Sequence, residues 1–131
     1  MMKNILAALT VFISFSAMAE KRNIHNECSF RAATLSDMVA LYKERQCSKN
    51  QAKQFIHEVA TGETQTLNSC IPKSRYKNPD FIDGNNFEKW SDSLIEKIWS
   101  NTMKGPDNYG TFMDACMKNP DKYIGGQWLY K

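Results

Sequence analysis

The chain has 131 residues, with 17 Lys and Arg against 14 Asp and Glu, a formal charge of +3. That balance is weak and dispersed. There is no basic run and no basic face interleaved with aromatics, which argues against electrostatically driven nucleic-acid binding, and the summed charge makes no case for a membrane surface.

The first 19 residues carry a basic start (Lys3), an apolar run from Ile5 to Phe15, and Ala17-Met18-Ala19 before Glu20. This is the three-part pattern of a secretory signal peptide with a small-x-small cleavage site. The apolar run is short and broken by Ser14 and Ser16, whereas a membrane span needs roughly 20 apolar residues. An uncleaved anchor is therefore the weaker reading. No cysteine follows the cleavage site closely enough for a lipoprotein. The short, Lys-led leader resembles those of Gram-negative bacteria, so the periplasm is the expected compartment. Residues 20–131 are then one small domain, large enough for a modest core.

All four cysteines, Cys28, Cys47, Cys70 and Cys116, lie after the leader. An even number in a small exported domain predicts two disulfides. No Cys-x-x-Cys and no Cys–His pair at ligand spacing supports a metal site instead. Loops of this size stabilise by roughly 4 kcal/mol per bridge in the chain-entropy account.

Along the mature chain, residues 20–26 are polar and predict a frayed start. A first helix follows, with Cys28, Ala32, Leu35, Val39 and Tyr42 on one face, although Thr34-Leu35-Ser36-Asp37 also fits a capping box that would start it later. It ends near Gln46. Ser48, with Gln51 at the box position, opens a second helix whose inner face is Ala52, Phe55, Ile56 and Val59, stopped by Gly62.

Residues 68–86 form a long polar connection: Asn-Ser-Cys70-Ile-Pro72, then Lys73, Arg75 and Tyr76, then Pro79 and Asp83-Gly84-Asn85-Asn86. A structureless loop of this length is uncommon in a compact domain and is usually functional or mobile. Asn85 or Asn86 is the expected cap of a third helix, with Phe87, Trp90, Leu94 and Ile98 in one apolar stripe and Ile95, Trp99 and Met103 in a second. Such a wide apolar arc marks it as the central helix. Lys104-Gly105-Pro106-Asp107 separates it from a fourth helix with Tyr109, Phe112, Met113, Cys116 and Met117 in helical spacing, stopped by Asn119-Pro120. The tail, with Tyr123, Ile124, Trp128, Leu129 and Tyr130 around a Gly125-Gly126 turn, is too apolar to be free and is expected to pack back as an extended segment. The fold expected is an all-α, four-helix disulfide-bonded bundle with a long loop between helices two and three.

If the first helix begins near Cys28, then Cys28 and Cys47 stand at its opposite ends, roughly 28 Å apart, and cannot bond. An up-down second helix would return Cys70 to the Cys28 end. That favours pairing 28–70 and 47–116, while a later start to the first helix would free Cys28 to pair otherwise.

Catalytic constellations are not evident. His57-Glu58 begins a zinc-protease motif whose second histidine is replaced by Thr61, so a surface helix dipeptide is the better reading. Asp80 and Asp83 lack the alternating pattern of a calcium loop, and turn or capping duty suits them better. Oxidised cysteines cannot act as nucleophiles. No cofactor and no metal is expected, and a binding protein fits better than an enzyme. An enzyme would need a pocket joining His57 or His25 to carboxylates.

The order of features resembles the Rap/Tai group of periplasmic immunity proteins of type VI secretion, which neutralise peptidoglycan amidase toxins. The shared elements lie within residues 47–118: the Gly62-terminated helix, the Cys70-Ile71-Pro72 step, the amphipathic helix from Trp90 to Trp99, Pro106, and a last helix with Phe112 and Cys116. Cys47 lies far upstream of Gly62, and the polar loop after Pro72 is long, which are departures from the group. The resemblance implies an all-α disulfide-bonded fold, often a homodimer, that inserts a loop into an enzyme's cleft. Lys73, Arg75, Tyr76 and Asp83 are the expected partner contacts, Tyr and Arg being common hot spots. A second expectation is a periplasmic stress protein, an acid-activated holdase, which the wide apolar arc of the third helix allows.

Overall fold

The computed structural model of the chain describes residues 23–62, 70 and 81–131. The expected leader, residues 1–19, lies outside them. Among the described residues there are five helices and no strand, so the chain is all-α: α1 (Ile24–Lys43), α2 (Lys49–Thr61), α3 (Gly84–Trp99), α4 (Tyr109–Lys118) and the short α5 (Pro120–Tyr123). No helix among the described residues is long and apolar enough to cross a membrane.

Helix α1 starts earlier than either sequence reading. Asn23 is its N-cap, its side chain accepting the Asn26 N–H at 2.9 Å, a role for which Asn is among the best residues. Of the stretch expected to fray, residues 23–26 form a capped first turn, and residues 20–22 lie outside the described residues. Thr34 sits inside the helix, where its hydroxyl donates to the Phe30 carbonyl one turn back at 3.0 Å, so the apparent capping box there is satisfied internally. Cys28, Ala32, Leu35, Met38 and Leu41 are buried along one face, and Glu27, Arg31 and Thr34 are buried beside them. Helix α1 is packed by α3 and α4, and α3, as its two stripes predict, is packed on two sides, by α2 and by α1.

Helix α2 forms as its local signals dictate. Ser48 and Gln51 make the reciprocal capping box, and Gly62 closes the helix with φ 73°. Ala52, Phe55, Ile56 and Val59 are all buried, mainly against α3. The cap of α3 is Asp83, not Asn85 or Asn86; its side chain accepts the Asn86 N–H at 3.1 Å. Gly84 explains the early start. A Cβ there would lie 2.2 Å from the Ala60 carbonyl oxygen, so only glycine lets α3 begin this close to the end of α2. Phe87, Leu94, Ile95 and Ile98 are buried as the stripes require, Trp99 stacks edge-on to Tyr42 at 5.4 Å, and Met103 lies beyond the helix end. Helix α4 buries only Phe112 and Cys116 of its expected stripe; Tyr109 and Met117 are exposed. Pro120 stops α4 and opens α5 at its first position, where a missing N–H costs nothing.

Beyond α5 the chain turns at Gly125 (φ 59°) and returns to the body of the protein. Tyr130 pairs antiparallel with Ile82. The Lys131 N–H donates to the Phe81 carbonyl at 2.9 Å and the Asp83 N–H to the Leu129 carbonyl at 2.6 Å. The tail is thus packed and extended, with Leu129 wholly buried.

The disulfides are Cys28–Cys116 and Cys47–Cys70, each with 5.7 Å between Cα atoms. This corrects the pairing expected from helix order. That expectation placed Cys70 at the far end of the second helix, but the nine residues after Thr61 can span about 30 Å, more than the length of about 20 Å of a 13-residue helix. The chain has reach to return to Cys47, where α1 gives way to α2. Helix α4 packs on α1 and brings Cys116 to Cys28.

The two bridges close 88 and 23 residues of chain, worth about 4.6 and 3.4 kcal/mol in the chain-entropy account. Cys28 and Cys116 are wholly buried, so removing that pair also disturbs the core. Peptide mapping without reduction should recover fragments linked 28–116 and 47–70. In urea, Cys28→Ala with Cys116→Ala should lose more stability than Cys47→Ala with Cys70→Ala; equal losses would contradict this ranking.

Candidate functional site

Two charged residues at the start of α1 are taken out of water. Glu27 is 0% exposed and Arg31 1%. They stand four apart on one face, with the carboxylate in the first turn, where the helix dipole favours it. Arg31 Nε donates to Glu27 Oε1 at 3.3 Å. The other two guanidinium nitrogens donate to the Tyr123 carbonyl (2.9 Å) and to the Gln127 carbonyl, and the Trp90 ring lies 5.1 Å away on its face. Glu27 accepts the Leu129 N–H at Oε1 and the Tyr130 N–H at Oε2 (3.1 Å). Burial pushes the Arg31 pKa below its ordinary value, while the charge and hydrogen bond of Glu27 pull it back up. The pair therefore clamps the tail through four backbone groups on 123–130.

Clamping the tail builds a surface. Trp128, Tyr130 and Lys131 are held beside Phe81 and opposite Asn23 and Asn26 at the start of α1, enclosing a groove of about 450 Å³. Phe81 is 62% exposed, a large ring left in water. Tyr130 stacks on Phe30 at 5.3 Å and Phe30 on Phe87 at 5.4 Å, so the groove wall continues into the core. The Tyr130 phenol is pushed up, first by burial and then by the Glu27 charge. Asn86 ties α3 to the same wall, its side-chain amide donating to the Trp128 carbonyl at 3.0 Å.

The expected partner contacts fall differently. Lys73, Arg75 and Tyr76, like Asp80, lie outside the described residues. Asp83 stands at the N-cap of α3 and is joined through its backbone to the tail. The connection between α2 and α3 is thus fixed at Cys70 by its disulfide and at residues 81–83 by the pairing with the tail. His57 meets Glu88 across the α2–α3 seam at 2.7 Å, exposed, while Glu58 turns inward and is buried. His25 is exposed in the first turn of α1. Among the described residues no group of three or more His, Cys, Asp or Glu could hold a metal ion.

The α2–α3 seam is a ladder of charge. Lys49 and Lys53 both reach Glu96 (3.4 and 2.5 Å), and Asp92 lies between Glu96 and Glu88 on the same face of α3. Lys53 holds the Glu96 carboxyl below its ordinary range, chiefly through their hydrogen bond. Asp92 is pushed up, first by burial and also by Glu88 and Glu96, against the pull of Lys53 and His57.

Sequence reasoning missed Glu27, Arg31 and Phe81. The Glu–Arg spacing of four is visible in the sequence, yet it is the ordinary pattern of a solvated helix face, and no local signal marks the tail carbonyls as its partners. No protein-family model, no curated protein and no solved structure matches this chain.

Two outcomes follow from these charges. Glu27→Ala leaves Arg31 buried without its counter-charge and strips acceptors from two amides, so it should cost about 3–5 kcal/mol, measured by urea unfolding. Glu27→Leu with Arg31→Met should recover only part, because the tail amides and carbonyls still lack partners. Asp92 titrates with the opposite sign to Glu96. Its raised folded-state pKa means that its ionisation destabilises the fold, fully above that pKa and not at all below the unfolded value of about 3.9. Asp92→Asn should therefore raise the melting temperature at pH 7, with the gain vanishing near pH 3. Glu96→Gln should lower it at pH 7, with the loss also shrinking toward pH 3.

Proposed function

We propose that this chain is an exported, periplasmic binding protein that inhibits a partner enzyme, in the manner of an immunity protein against a cell-wall-degrading toxin. The observation that carries the reading is the anchoring of the 71–80 connection at both ends, by Cys47–Cys70 on one side and by the pairing of Phe81 and Asp83 with the tail on the other. A segment held at its ends loses less freedom when it enters a cleft, and so binds more tightly than a free one. Inhibition by insertion asks for no catalytic group on the inhibitor. Exposed Phe81 at the foot of this segment adds an aromatic of the kind enriched at the centre of interfaces. Resemblance to the Rap/Tai group supplies a peptidoglycan amidase toxin as the partner to try first.

Capture from periplasm under oxidising conditions, and inhibition of a peptidoglycan amidase encoded beside this chain, test the reading. Arg75→Ala and Tyr76→Ala should each weaken capture at least about tenfold, the scale of one hot-spot contact. Cys47→Ala with Cys70→Ala should weaken it while α-helical content is kept. Undiminished capture by all three variants would remove the connection from the interface.

A further inference from the structure

We infer that the groove between the start of α1 and the tail is a binding site for a neutral oligosaccharide, whose sugar ring lies on the Phe81, Trp128 and Tyr130 wall with its hydroxyl rim at the carboxamides of Asn23 and Asn26. A volume of about 450 Å³ falls in the range of small-molecule sites. The site is preformed. Its aromatic residues come from two segments tied together by Lys131 N–H to Phe81 and Asp83 N–H to Leu129, and Glu27 holds the Tyr130 amide from beneath. Single exposed apolar residues are ordinary, but here a ring 62% exposed stands with two others on one concavity.

The remaining lining selects the ligand. Asn23 and Asn26 face the rings, and the Asn23 oxygen is engaged in capping α1 while its NH₂ is not part of that bond. A carboxamide offers donors and acceptors side by side, which suits groups that both donate and accept, as hydroxyls do. Among the described lining residues Lys131 alone has a charged side chain, and none is an Asp or Glu. A polyphosphate would find a single ammonium among these residues, and an acyl chain would leave the amide wall without partners, a cost for any polar group shut away from water. A pyranose has an apolar C–H face and a hydroxyl rim, matching both walls at once. This assignment stands on the groove alone and does not depend on the inhibitor reading.

The oxidised exported chain, labelled with ¹⁵N, is titrated separately with tri-N-acetylchitotriose, maltotriose and N-acetylphenylalanine amide. The expected result is saturable shifts from a trisaccharide, concentrated on the side-chain amides of Asn23 and Asn26, the Trp128 indole and the Tyr130 backbone. Comparing the two sugars shows whether an N-acetyl group is recognised. Phe81→Ala and Asn26→Ala, both at exposed positions, should each weaken binding about tenfold with the remaining spectrum unchanged. Shifts from neither sugar, binding undiminished in both variants, or saturation by the aromatic amide alone would each overturn the assignment.

Discussion

A carboxylate and a guanidinium moved wholly out of water must find partners for every charged atom, or the fold bears the cost of their lost hydration. Glu27 and Arg31 find those partners on the returning tail, in the amides of Leu129 and Tyr130 and the carbonyls of Tyr123 and Gln127. Much else follows. Because Leu129 and Tyr130 are held, Ile82 and Asp83 have a segment to pair with, and α3 acquires a fixed starting point at the Asp83 cap. With α3 so placed, Trp90 covers the guanidinium. The pair is less a source of net stability than a specification of where the last residues lie.

The disulfides act on a different scale. Cys28–Cys116 binds α1 to α4 within the core, three residues from Arg31 along the same helix, and so brings the tail's point of origin to its clamp. Cys47–Cys70 lies at the corner between α1 and α2 and fixes the entry to the long connection. One bridge supports the body and the other fixes where the connection to α3 leaves it.

What was legible in the sequence was local. Ser48, Gln51 and Gly62 each state a cap within one turn of the helix they bound, and all three appear where expected. Four helices, the inner face of α2 and a packed tail could be read because hydrophobic spacing reports burial, while the stripe of α4 was read too wide, with Tyr109 and Met117 left exposed. Thr34 misled because a Ser/Thr–acid spacing is the same whether the hydroxyl caps a new helix or bonds back within an old one. Asp83 displaced Asn85 and Asn86 because Gly84 must approach the Ala60 carbonyl, a contact between elements far apart in sequence. Cysteine pairing failed for a similar reason: chain reach after Thr61 allows a return that helix order alone does not reveal. The groove was hidden because its walls come from three separated segments, and its floor depends on a buried ion pair indistinguishable in sequence from a surface one.

Function is proposed from this geometry as a matter of surfaces, a connection anchored at both ends and an aromatic groove beside it, and both rest on the tail being part of the body. Native-state hydrogen exchange at Leu129 and Tyr130 tests that dependence most directly. With Glu27 holding both amides, they should exchange only through large-scale opening, with protection close to that of core amides in α1 such as Leu35. Exchange as fast as that of an exposed chain end, with α1 still protected, would show that the clamp does not hold the tail and would contradict the account.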